Sequence, residues 1–169
     1  VKEETIDGVF VHRFAYYGWR RGLQLGQLKR NSPLLLGSLT LLGAMKCLLS
    51  VIKHNSDLIH AYWVVPGGFI GLIVGRLTRR PVVATAAGSD LITAPKYRLP
   101  YLLTTLTLKP LDRVLPVSTA MKKIAMKLGL SRDRATVIHG PVGIDTADLK
   151  ERAEQQPFTE KYGRTLVYV

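Results

Sequence analysis

Apolar positions change their rhythm several times along this chain, and each change marks an element. Asp57-Leu58-Ile59-His60-Ala61 and Pro81-Val82-Val83-Ala84-Thr85-Ala86 are short apolar runs bounded by Gly, Pro or polar residues. Such runs, the second rich in β-branched residues, predict strands buried on both faces. Between them Phe69, Ile70, Ile73, Val74 and Leu77 recur at helical spacing. The stretch from Asp57 to Asp90 is therefore one complete βαβ unit. Both turns leaving its strands carry glycine, at Pro66-Gly67-Gly68 and at Gly88-Ser89-Asp90. In open parallel sheets ligands bind beyond the carboxyl ends of the strands, where such turns lie.

The same rhythm extends to both sides. Ile6 to Phe14 reads as a short strand after an Asp7-Gly8 turn. Tyr16-Tyr17-Gly18-Trp19-Arg20-Arg21-Gly22 is a loop with aromatics and arginines interleaved. Leu34 to Ile52 is the most apolar segment, and its length comes close to spanning a bilayer. Lys46 falls past its middle, and a lysine there costs about 2.5–3.5 kcal/mol on insertion scales. A buried helix packed on the sheet is the expectation, with Pro33 near its start and Lys53 at its C-terminal end. Pro100 opens a further helix to Leu108, with Leu102, Leu103 and Leu106 as its buried stripe. Asp112 to Val117 predicts a strand in which Pro116 is tolerated only at the end.

Ser118 is then a good N-cap for a helix whose stripe is Met121, Ile124, Ala125 and Leu128, with Gly129 as its stop. Ala135 to His139 is another strand, running into the turn Gly140-Pro141-Val142-Gly143-Ile144-Asp145. Lys150–Arg164 has no periodicity and reads as a linker, and Thr165–Val169 reads as a strand. Strand and helix alternate throughout, which implies a doubly wound, mostly parallel α/β layer. The polar start without an initiator Met and the strand at the end suggest an internal piece of a longer protein.

Composition narrows the partners. The 169 residues suffice for one domain with a sizeable core, and 47% of them are hydrophobic. The net charge of +12 points to an anionic partner: nucleotide phosphates, a phospholipid surface or nucleic acid. Arg20, Arg21, Lys29 and Arg30 are the candidate membrane or phosphate contacts. The single Cys47 sits among leucines, as a small core residue does.

Much chemistry is missing. There is no Gly-x-Gly-x-x-Gly, no Walker loop and no Gly-x-Ser-x-Gly elbow. His12, His54, His60 and His139 lie far apart along the chain, and one cysteine cannot complete a metal site with them, so no metal is expected. What remains is Asp90 after a Gly-Ser turn at a strand end, with local capping as its alternative role. A helix beginning near Pro66 would aim backbone N–H groups at an anion, and Gly67 and Gly68 would allow close approach of a ligand.

These residues resemble family 4 glycosyltransferases. The similarity rests on Asp57-Leu58-Ile59-His60-Ala61-Tyr62-Trp63 through Pro66-Gly67 and on Pro81-Val82-Val83-Ala84-Thr85 with Gly88-Ser89-Asp90. It continues in Val114-Leu115-Pro116-Val117-Ser118 with Lys122 and in Val137-Ile138 through Gly143-Ile144-Asp145. The resemblance implies a GT-B architecture of two Rossmann-like halves facing across a cleft, this chain being most of the N-terminal, acceptor-side half. Residues 1–149 would be that domain, lacking its first strand and Gly-Gly turn. Residues 150–164 would be the interdomain linker, and 165–169 the first strand of the donor-binding half.

The implied substrate-binding residues are His60, Tyr62, Trp63, Gly67, Gly68, Ala87, Gly88, Ser89, Asp90, Ser118, Lys122, Gly143 and Asp145. The implied reaction moves a sugar from a nucleotide-sugar to a glycan or lipid-linked acceptor, with retention and without a metal or other cofactor. The implied location is cytoplasmic, peripheral on the inner face of an anionic membrane, with no nucleic acid as partner. Three positions depart from the family pattern. Ala87 stands where members carry His or Arg before the Gly-Ser-Asp turn, Tyr62 replaces the second His of a His-x-His pattern, and Pro141-Val142 replaces the usual Asn. Rival readings are a basic α/β domain that binds nucleic acid, a related nucleotide-sugar epimerase, and a membrane protein spanning at Leu34–Ile52.

Overall fold

The computed structural model describes residues 3–17, 33–92, 96 and 98–139, all within one compact unit, Val1–His139. Its centre is a parallel sheet of β3 (Ile59–Tyr62), β4 (Val82–Ala86) and β5 (Arg113–Pro116), in the order β3-β4-β5. Register is set residue by residue, with Ile59 beside Val82 and Ala61 beside Ala84. On the other side of β4, Ala84 lies beside Val114 and Ala86 beside Pro116. Pro116 closes its strand, the position where a missing N–H matters least. Beyond β5 the chain returns in parallel at Ala135, and the amides of Thr136 and Ile138 donate to the carbonyls of Val114 and Pro116.

Alternation along the strands gives the sheet one dry face. Ile59, Ala61, Val82, Ala84, Ala86 and Val114 are buried in a single core with Val51, Val74, Leu108, Leu111 and Ala125. These last residues come from α1 (Pro33–Lys53), α2 (Phe69–Thr78), α4 (Arg98–Leu108) with the turn after it, and α5 (Thr119–Lys127). The short α3 (Ser89–Ile92) adds Leu91. On the alternate positions His60, Tyr62 and Arg113 are exposed, while Val83, Thr85 and Leu115 are half-buried.

Helix α2 shows why the sequence folds this way. It lies so close to the sheet that Gly71 and Gly75, not large residues, face β3 and β4. A Cβ at Gly75 would sit 2.2 Å from Val82 Cγ2 and 2.8 Å from the Arg80 carbonyl oxygen. This contact corrects the predicted stripe: Val74 is fully buried, but Leu77 is 67% exposed, because the glycines occupy the inward positions. Helix α5 follows its prediction. Ser118 Oγ accepts from the amide of Met121, Ala125 is buried, and Met121, Ile124 and Leu128 pack on the core. Gly129 takes a left-handed φ of 103°, as a helix stop requires.

Three further expectations are corrected. First, the strand expected after the Asp7-Gly8 turn is present, but it ends at His12 and pairs with a strand before the turn that was not expected. Asp7 and Gly8 both have positive φ and form the tip of an antiparallel hairpin of β1 (Glu3–Ile6) and β2 (Val9–His12). An Asp-Gly tip of this kind matches the twist of the flanking strands. Among the described residues the hairpin is its own two-stranded sheet. Polar contacts clasp it to α1. Glu3 Oε1 accepts from Lys46 Nζ at 2.7 Å and from His12 Nδ1 at 3.1 Å, and His12 Nε2 meets His54 Nε2 at 3.2 Å. Phe10 stacks on His54, and Glu4 pairs with Arg13. The hydrogen bonds from Lys46 and His12 hold the Glu3 carboxyl at about 2.

Second, α1 is not a buried helix. It packs through Leu35, Leu39, Gly43 and Val51, whereas Leu34, Leu41, Met45, Leu49 and Ile52 are exposed. It is long and apolar enough by composition to cross a membrane, yet Lys46 is tied to the hairpin and one side of the helix to α2. Third, the stripe of α4 is turned around. Leu102 and Leu106 are exposed, Leu103 is half-buried, and Thr104 and Thr107 are fully buried. Thr107 answers its burial by donating to the Leu103 carbonyl at 2.7 Å. Cys47 lies half-buried against the core, and burial pushes its thiol up, so it is a packing residue and not a nucleophile.

Candidate functional site

The turns after β3, β4 and β5 lie together at the carboxyl end of the sheet. At the first, Trp63 has φ 72° and ψ 138°, a left-handed backbone that bulky residues rarely adopt. Its amide still reaches back to the Thr85 carbonyl at 2.9 Å, so the bend is held in register with β4. Val64–Gly68 then winds tightly into α2. The Gly68 amide donates to Trp63, and the Phe69 amide to the Pro66 and Val64 carbonyls. Two of the N–H groups expected to be free at the start of this helix, those of Gly68 and Phe69, are thus already paired within the turn.

Gly67 has an internal reason as well. A Cβ there would lie 2.6 Å from the Tyr62 carbonyl oxygen, whereas one on Gly68 would make only ordinary contacts with Thr107, Trp63 and Ala84. Close approach here is of chain on chain. Gly88, after β4, is different: its φ is 142° and a Cβ there would meet open space.

Asp90 joins the two turns. It is fully buried, with Oδ2 accepting from the Val64 amide at 2.8 Å and Oδ1 from the Gly88 amide at 2.9 Å. The local bond to Gly88 is the capping role expected of an Asp two residues after a glycine. The bond to Val64, 26 positions away, had no signal in the sequence. Both oxygens are occupied by backbone donors, so Asp90 shapes the site and does not face a ligand.

The remaining candidates divide. His60 is exposed on the open face of the sheet, its Nε2 2.8 Å from Thr85 Oγ1. Tyr62 is 67% exposed and its ring lies 6.1 Å from that of the half-buried Trp63. Ala87, Gly88 and Ser89 are half-buried beside them. Ser118 is taken up by its helix cap, and Lys122 Nζ donates to the Ala135 carbonyl at 2.7 Å, tying α5 to the returning chain. Arg20, Arg21, Lys29, Arg30, Gly143, Asp145, the linker and the terminal strand lie outside the described residues. Among the described residues no group of three or more His, Cys, Asp or Glu is placed to hold a metal. Sequence reasoning missed Thr85, whose hydroxyl orients His60, because strand pairing alone brings the two together.

The fold and its strand-end shelf define a Rossmann-like α/β domain with an aromatic ledge at the carboxyl edge of a parallel sheet. A family model, Glycosyltransferase Family 4, matches residues 5–147, and the chain belongs to that family as its N-terminal type of domain. Comparison with curated proteins gives no match. Among solved structures, Anabaena Alr3699/HepE in complex with UDP-glucose superposes with a TM-score of 0.51 at 19% identity, over 79% of this chain and 34% of that one. The same protein with UDP and glucose gives 0.49 at 19% identity, over 71% and 34%. The chain thus spans about a third of the length of these structural relatives, and the likeness is one of fold.

Proposed function

We propose that the protein is a glycosyltransferase that moves a sugar from a nucleotide-sugar to an acceptor hydroxyl with retention of configuration, and that residues 1–149 form its acceptor side. The bond from the anomeric carbon to the diphosphate breaks, a bond to the acceptor oxygen forms, and the acceptor proton leaves with the diphosphate. The observation that carries this reading is the family match across residues 5–147, laid over a sheet whose strand-end turns form an open ledge. HepE bound to UDP-glucose supports a nucleotide-sugar as donor. Residues 150–164 link this domain to a donor-binding half, whose N–H groups and basic side chains stabilise the charge gathering on the leaving diphosphate, with no metal required.

Within this chain His60, Tyr62, Trp63, Gly88 and Ser89 face the acceptor, a glycan or lipid-linked sugar. Asp90 and Gly67 keep the ledge in shape. The protein works in the cytoplasm on the inner face of the membrane. The test is incubation of the full-length protein with a panel of nucleotide-sugars and a lipid extract, reading release of nucleoside diphosphate. Release that needs both one donor and the extract is expected. A folded protein that releases nothing with any donor, and gains no release on Ala87→His, overturns the reading.

A further inference from the structure

Helices α1 and α4 carry large apolar residues on their outer side as well as on the side that packs on the core. On α1 Leu34, Leu41, Met45, Leu49 and Ile52 recur at seven, four, four and three residues, and each is more than half exposed. On α4 Leu99, Leu102 and Leu106 form a second stripe, also more than half exposed. Several polar residues lie away from these stripes. Lys46 and Ser50 line a depression with His12, and Thr104 and Thr107 are fully buried. Thr104 Oγ1 has no hydrogen-bond partner among the described residues. A helix on a water-facing surface has the opposite arrangement.

The two stripes are adjacent. Leu41 and Leu99, both exposed, line one groove of about 440 Å³ with Leu36, Ala44, Ile73 and Leu103. Soluble monomers rarely leave so many contiguous large apolar side chains uncovered. Charge selects the occupant. Helices α1 and α4 contain no Asp or Glu; Lys46 is turned away and paired with Glu3, which leaves Lys53 and Arg98 as their other charged residues. Exposed Lys96 and Lys109 flank α4.

We infer that the joined apolar faces of α1 and α4 dock in the plane of an anionic lipid bilayer, with the groove between them receiving acyl chain. A helix with an outer stripe of leucines and basic but no acidic residues of its own has the composition of an interfacial helix. The basic rim is attracted to anionic headgroups. This deepens the lipid-linked acceptor reading by naming the surface that meets the lipid. Vesicle binding is read without donor or acceptor, so docking and transfer fail separately.

The test is flotation of the full-length protein with vesicles of phosphatidylcholine alone and with equimolar phosphatidylglycerol. Binding to the anionic vesicles is expected, falling roughly tenfold in a Leu41→Glu, Leu102→Glu variant, as loss of buried apolar area at an interface demands. Leu77→Glu, equally exposed but off both stripes, leaves flotation unchanged. Equal binding to neutral vesicles, no binding, or an unaffected double variant overturns the inference. So does a double variant that melts at lower temperature or changes oligomeric state without lipid, because the face is then covered by the chain itself or by a second copy.

Discussion

Asp90 carries more of the site than any exposed residue does. Its carboxylate is fully buried and accepts two backbone N–H groups from two different turns. Removing it leaves the buried Val64 donor and the half-buried Gly88 donor without this partner, at about 1–3 kcal/mol for a buried one and less for the other. Asp90→Ala is therefore expected to destabilise the protein by about 3 kcal/mol. Asp90→Asn keeps one acceptor and costs roughly half as much by the same reasoning. Urea denaturation of both variants measures this, and an Ala variant as stable as the parent would remove the latch from the account. Half of the role was legible, because an Asp two residues after Gly88 is a local turn signal. The Val64 bond was not, since pattern along the chain carries no distance between residues 64 and 90.

At the scale of elements, strands β3, β4 and β5 lie within a residue or two of their predicted runs, as do the ends of α1 and α2. The rotation of the helices was less legible. A helical period says that one face is apolar, and in α5 that face is the buried one. In α2 small residues outrank large ones, because Gly71 and Gly75 let the helix approach the sheet. Gly75→Ala is expected to cost about 1–3 kcal/mol through overpacking against Val82, with no gain from helix propensity to match it. A thermal melt checks this, and a variant that melts at or above the parent temperature means the strand yields without strain. In α4 the expected stripe of Leu102, Leu103 and Leu106 is split, with Leu103 against the core and the other two outside.

On the scale of the whole molecule, the parallel sheet and the hairpin differ in how they are held. Strand β4 has partners on both sides and every second residue in the core. The hairpin is two strands joined to α1 by polar and ring contacts, with Val9 and Phe10 largely exposed. A two-stranded sheet is marginal without such support. Hydrogen exchange is expected to show the strongest protection in β4 and fast exchange in Glu3–His12. Comparable protection in both would mean that the hairpin shares the core's cooperativity.

The alternation of strand and helix, the parallel βαβ units, the turns at strand ends and, through the motifs in those turns, the family are all legible along the chain. Those features are local: strand and helix periods, caps and glycines act over a few residues and read directly. That His12 meets His54, that Asp90 reaches Val64 and that Lys122 closes on Ala135 follow only once the chain is packed. So does the choice of which sides of α1 and α4 face outward. Those outcomes depend on how elements pack, where close approach and the pairing of buried polar groups outweigh the hydrophobic preference of any single face.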